Sequence, residues 1–345
     1  MTVTPRDDRE GDVLAVVGQS GPSVSFFDAA TDRHLGSVAT LAEPHELAFD
    51  PVERLLWVTM TYYSGFYHAN TGRRTELTVI DPDARRVVDV VDLAPEHAPH
   101  GIALDVARRR VYVSVEGSDE RPGGVVVLDA GTRRPIGRID SGAPGAHWIA
   151  LDAAGRVGCV ANKEAPFVSV LDLERGTLTG RAPVPSSEGV AVSADGARAY
   201  AASPFRGSFF DGDEPESAIN VIDTVSATVI DALPTENSVL PVHLTSTGLL
   251  LVGEVRTRGR AMAPGRLTVF SADTHKEIGG LDIGTVPLTV HSSPDGRLGY
   301  VACFASATVE VVDLASLRRV SRLDLGAFGE SGAHGLAYIP SEGAS

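Results

Sequence analysis

Four of the ten histidines stand in one recurring context: Pro44-His45-Glu46-Leu47-Ala48, Pro99-His100-Gly101-Ile102-Ala103, Ala146-His147-Trp148-Ile149-Ala150 and Ala333-His334-Gly335-Leu336-Ala337. A related segment, Ser187-Glu188-Gly189-Val190-Ala191, puts a carboxylate at that register, and two others put Leu240 and Leu288 there. Neutral imidazole is a ligand for iron, copper and zinc, and a site with open coordination positions serves catalysis. Brought together, His45, His100, His147 and His334 would hold a divalent transition metal. Glu188 would then be a further ligand, an orienter of an imidazole or a general base. With iron or copper such a site activates oxygen; with zinc it polarises a carbonyl or a bound water for hydrolysis, elimination or isomerisation. Two other readings of the same residues stay open: a metal-free catalytic or binding cluster, and histidines that only cap the turn before a strand.

These residues can converge only if a repeated architecture positions them, and the chain is repetitive throughout. An apolar run ending in Asp recurs as Val24–Asp28, Leu77–Asp81, Val125–Asp129, Val168–Asp172, Ile219–Asp223 and Val309–Asp313, with a degenerate copy, Leu267–Ser271. Successive copies start 42 to 53 residues apart, which suits one four-stranded propeller blade with loops of variable length. Each unit reads as strand A (the His-containing segment), strand B (such as Val111–Ser114), strand C (the Asp-terminated run) and strand D (such as Arg134–Asp140). The sequence opens on a B strand, Val13–Val17, and its last segment is an A strand, His334–Ile339. Together they complete a seventh unit and remove the open sheet edge. The expected fold is an all-β, seven-bladed propeller in a single domain over 12–340, with 1–11 and 341–345 as flexible termini.

The turn Ser293-Pro-Asp-Gly296, followed by Leu298–Ala302 and Val309–Asp313, resembles the YVTN-type, lactonase-like propeller repeat, as does Val157–Asn162 with Val168–Asp172. The likeness runs blade by blade along the chain and implies the fold. It leaves activity open, because that superfamily includes lactonase-like enzymes, lyases, haem-handling proteins and binding modules. The four-histidine arrangement is also similar to the iron site of carotenoid-cleaving oxygenases, though no sequence motif is shared.

Strand A is innermost in a blade, so its first residue is expected to overlook the mouth of the central channel. Two further histidines, His243 and His291, fall three residues beyond that register, about 10 Å along a strand, where other units carry Ala103, Ala150 or Ala191. They would form a deeper polar layer or join the metal site. Long B–C connections on the same face are expected to build a lid. They supply Tyr62, Tyr63, Phe66, Tyr67 and His68 from the first unit, Glu116–Pro122 from the second, and Phe205, Arg206, Phe209 and Phe210 from the fourth. Arg256 and Arg258, in a fifth-unit loop, are candidates to bind an anionic group. Aromatic walls with few polar groups describe a small-molecule pocket. Lys163 and Glu164, just after the third B strand, also lie within reach of the mouth.

Composition narrows the partners. A formal charge of −15 repels phosphate backbones, so nucleic acid is not an expected partner. Two cysteines are too few for a disulfide scaffold. The sequence holds no apolar run of the ~18–20 residues a membrane span needs, and Met1–Gly11 contains no apolar signal core. The expectation is a cytoplasmic protein acting on a small molecule, either as a metal-dependent enzyme or as a binding or scaffold propeller using the same face. Nothing in the sequence sets an oligomeric state.

Overall fold

The computed structural model describes residues 10–65, 67–204 and 217–342, with the side chain of His68 outside that description. The described residues form seven four-stranded antiparallel sheets, each running from an inner strand to an outer one. The inner strands are Pro44–Asp50, His97–Asp105, Ala146–Leu151, Val190–Val192, Ser238–Leu244, Pro287–Ser292 and Ala333–Ile339, which number the blades one to seven. The seven-bladed propeller expected from the repeat is the observed fold. Among the described residues helix is confined to two 3-10 turns, Tyr67–Ala69 and Gly326–Phe328. No described helix is long and apolar enough to cross a membrane.

The recurring Asp has a local cause. At the end of each third strand its Oδ1 accepts the backbone N–H three residues on, at 2.8 Å in Asp28–Thr31, 2.7 Å in Asp129–Thr132, 2.8 Å in Asp172–Arg175 and 2.8 Å in Asp313–Ser316. Such side-chain-closed turns launch the outer strand. In the degenerate copy Ser271 takes over, its Oγ accepting Thr274 N–H at 3.1 Å.

Closure follows the expected split. Val13–Gly18 pairs with the inner strand Ala333–Ile339 on one side and with Ser23–Asp28 on the other. Asp12 fastens the seam, accepting the Tyr338 hydroxyl at 2.5 Å and Ser341 N–H at 2.7 Å. The apolar core lies between neighbouring blades: Trp57, Leu77, Val113 and Leu128 form one cluster across blades one and two, and Leu14, Tyr300, Val311 and Leu336 another across six and seven. One connection departs from expectation. Arg256 and Arg258 stand in no loop, because the strands Leu249–Arg258 and Ala261–Ser271 continue as a hairpin through that region.

Candidate metal centre

The inner strands are irregular where the histidines stand. Pro44 pairs with Met60 but Leu47 with Val58, so three residues on the inner strand span two on its neighbour. The same slip occurs between Pro99 and Ile102, Ala146 and Ile149, and Ala333 and Leu336. A β-bulge re-aims consecutive side chains and leaves backbone groups off the ladder. Second-strand hydroxyls take those groups up. Thr59 Oγ1 accepts Glu46 N–H at 2.9 Å and donates to His100 O at 2.7 Å; Ser114 Oγ accepts Gly101 N–H at 2.9 Å and donates to His147 O. Each hydroxyl thus ties its own inner strand to that of the next blade. Adjacent strands pass so closely that a Cβ at Gly335 would lie 2.5 Å from His45 O, and one at Gly101 2.8 Å from His147 O.

This stitching gathers the imidazoles on one side of the axis. Ring centroids are 4.2 Å apart for His45–His334, 4.8 Å for His45–His100, 4.5 Å for His100–His147 and 6.1 Å for His45–His147. One potential ligand atom from each of His45, His100 and His147 lies within 4.8 Å of the others. His45, Glu46 and His334 form a second such group, so His45 is common to both. The sequence places these residues at a solvated mouth; in the structure all four histidines are buried, at 2–9 % exposure.

The partners decide which nitrogens stay free. His100 Nε2 lies 3.0 Å from Glu116 Oε1 and 3.1 Å from the Tyr62 hydroxyl, which itself donates to Glu116 Oε1 at 2.5 Å. His147 Nδ1 donates to Glu188 O at 3.3 Å, with Glu188 Oε2 at 3.7 Å. His334 Nδ1 meets His45 O and Glu46 Oε1, both at 3.0 Å. Each of these rings is thus oriented through one nitrogen, the arrangement that fixes tautomer in metal-ligating histidines. Buried Nδ1 of His100 and of His45 have no hydrogen-bond partner among the described residues. Leaving such atoms unmatched costs about 1–3 kcal/mol each, and a cation is one group that would match them.

Charge is distributed to suit a cation. Burial, then the neighbouring imidazoles and Lys163, holds His45 well below the ordinary histidine range. Burial, then His100 and Lys163, does the same for His147. Both rings are therefore neutral, as metal ligation requires. Burial alone would raise the Glu116 carboxyl, but hydrogen bonds from His100 and Tyr62 and the nearby Arg73 charge outweigh it and leave it below its usual value. Burial, then Glu116, pushes the Tyr62 phenol upward, so it remains a donor.

Of the other expected site residues, Glu188 borders the histidine cluster, whereas Tyr63, Arg256, His243 and His291 do not join it. Glu188 pairs with Lys163 Nζ at 3.0 Å, and that ammonium lies 4.3 Å from the centre of the Tyr67 ring. Tyr63 is exposed, with the Arg74 guanidinium 4.5 Å over its ring. Arg256 is paired outward with Asp282 at 2.6 Å. His243 and His291 stack on each other, 4.9 Å between centroids, and join neither histidine group. Phe66, Phe205, Arg206, Phe209, Phe210 and the His68 side chain lie outside the described residues. Of the two acidic residues at the centre, Glu46 is absent from the sequence-based set, and Glu116 is in it only as the start of a lid loop, not as a partner of the histidines. Their signals were a Glu where the other histidine segments carry Gly or Trp, and a Glu ending the second strand at the register Lys163 occupies in the next blade.

No protein-family model matches the chain, and the comparison with curated proteins finds no match. Solved structures do resemble it. Hydrazine synthase of Kuenenia stuttgartiensis superposes with a TM-score of 0.73 at 18% identity, over 91% of this chain and 98% of that one. A functionally unknown protein from Desulfotomaculum acetoxidans gives 0.70 at 13% identity, over 96% and 99%. At such identities the likeness is one of fold.

Proposed function

We propose that this protein is a metal-dependent enzyme of the YVTN-type propellers, acting on a small organic molecule at the loop-bearing end of the axis. His45, His100 and His147 would hold a divalent transition metal (iron, copper or zinc), with His334 and Glu46 beside it. The observation that carries this reading is the convergence of three buried imidazoles, two of them oriented through one nitrogen by Glu116 and by the Glu188 backbone. A bound metal would supply Lewis acidity or, if redox-active, oxygen activation.

The chain's own residues have separable tasks. Glu116 and Tyr62 hold His100 in one tautomer. Lys163 neutralises Glu188 and presents a cation beside Tyr67, a place for an anionic or carbonyl group of a substrate. The deep burial of the rings excludes water, which strengthens every electrostatic contact there. Protein reconstituted with each metal should turn over a panel of small lactones, esters and aromatic substrates, and chelation or His147→Ala should abolish that turnover. Turnover unaffected by both would defeat the proposal. A binding or scaffold propeller, the alternative, predicts no turnover in any metal form.

A further inference from the structure

Beyond the histidine ring the propeller axis is hollow. One cavity of about 280 Å³ starts at Glu46 and Thr289 and extends past Trp148, Val190, Val242 and Leu336 to His243 and His291. A second, about 390 Å³, shares Leu47, Ile102, His291 and Leu336 with the first and continues to Pro51, Val106 and Pro340. Those three follow the ends of inner strands, on the face away from the long loops. Four shared lining residues make the two cavities one channel. Its cause is a single register. Ala48, Ala103, Ala150, Ala191 and Ala337 stand at equivalent inner-strand positions and leave space, while His243 and His291 stand there in blades five and six.

The two imidazoles stand among Ala, Val and Leu side chains and Trp148, with Glu46 and Thr289 as the other polar side chains of the first cavity. His243 Nε2 is engaged by Ser292 Oγ at 3.0 Å, and His291 Nδ1 by the Ser292 backbone at 2.7–2.8 Å. Nδ1 of His243 and Nε2 of His291 have no partner among the described residues, although both rings line the channel. Burial, then His291, pushes His243 down to about 3, and burial also lowers His291, so both rings are neutral. A neutral imidazole offers a donor or an acceptor and no charge. No Lys or Arg lines either cavity, and the one acidic group of the upper cavity, Glu46, lies at its far end.

We propose that this channel is a binding site for an uncharged, largely apolar small molecule with one hydroxyl or N–H group, admitted from the face opposite the long loops and hydrogen-bonded to His243 or His291. The two cavities, about 280 and about 390 Å³, together fall within the ~300–1,000 Å³ range of small-molecule sites. Binding requires no metal, so the proposal stands apart from the metalloenzyme reading.

Trp148 lines the channel and the other tryptophan, Trp57, is fully buried in an inter-blade core. Chelator-treated Trp57→Phe protein therefore reports the channel by fluorescence. Cyclohexanol should give a saturable change in Trp148 emission, and cyclohexanecarboxylate should give none. Ala191→Leu, which narrows the channel, should weaken cyclohexanol binding at least ~10-fold with the circular dichroism unchanged, and His243→Leu should weaken it by a comparable factor. Saturation-transfer NMR of cyclohexanol with the wild-type chain and Ala191→Leu makes the same comparison without the tryptophan change. A non-saturating response, or equal binding by wild type and Ala191→Leu, would overturn the proposal.

Discussion

The two sides of the propeller axis use histidine in opposite ways. On the side of blades seven, one, two and three, His334, His45, His100 and His147 occupy the bulge itself, packed against one another and against three carboxyl-bearing residues, Glu46, Glu116 and Glu188. On the side of blades five and six, Leu240 and Leu288 take that register, and the histidines stand one step deeper as an isolated stacked pair. The chemistry follows from the neighbours. Imidazoles oriented by carboxyl and carbonyl groups, with buried nitrogens left over, suit a cation; a neutral pair among Ala, Val and Leu side chains suits an uncharged ligand.

The largest separation between the two sides should come from alanine substitution. His100→Ala or His147→Ala should reduce bound metal from about one ion per chain to below about 0.2, because three convergent ligands are the minimum for such a site. His243→Ala or His291→Ala should leave it unchanged. Metal content by mass spectrometry checks both. If all four variants lose metal equally, the two sides are one site.

A smaller effect is expected one contact outward. Glu116→Gln should weaken metal affinity about 10–100-fold, the range for losing a carboxylate that orients a ligating imidazole. Chelator competition measures it, and a change below threefold would mean that His100 is held by Tyr62 and packing alone.

The fold and the ring were legible in the sequence to different depths. The blade count was readable because each unit repeats an Asp that closes a turn through its own side chain, and even the degenerate copy keeps a hydrogen-bonding Ser271. The common register of His45, His100, His147 and His334 was readable because each precedes an apolar residue and Ala by a constant offset. Glu46 was hidden by strand periodicity. Alternation sends neighbours to opposite faces, but the bulge turns both His45 and Glu46 inward. The depth of His243 and His291 was readable as an offset, whereas the channel beside them was not, because a run of Ala reads as small core residues until the blades close around it. Only the tip of the hairpin Leu249–Ser271, Arg256–Arg260, reads as a loop, because that charged, Gly-containing stretch carries no apolar alternation.

Stability should distinguish the sides more finely. Gly335→Ala sets a Cβ against His45 O on the crowded side and should cost about 1–3 kcal/mol in chemical denaturation. Gly248→Ala, in the fifth-blade turn with nothing within 4 Å of the new Cβ, should cost less, its penalty being the positive φ of 80° alone. Equal losses would mean that the inner strands yield at the ring.

A further difference between the sides is expected in pH dependence. The folded chain holds His243 near 3 while the unfolded chain titrates it near 6.5, so below 6.5 the unfolded state binds a proton that the native state does not. Its contribution to stability is intact above pH 6.5 and is lost progressively as pH falls from 6.5 toward 3. His243→Leu should flatten that part of the denaturation-midpoint profile; an unchanged slope would show that His243 is protonated in the native state.

The most direct test of the metal centre is the metal content of protein purified without a histidine tag from cells supplied with iron, copper and zinc. The geometry predicts about one transition-metal ion per chain, lost on chelation and restored by the same metal. Less than about 0.2 ion per chain, with no recovery when iron, copper or zinc is added to the purified protein, would contradict a metal centre at His45, His100 and His147.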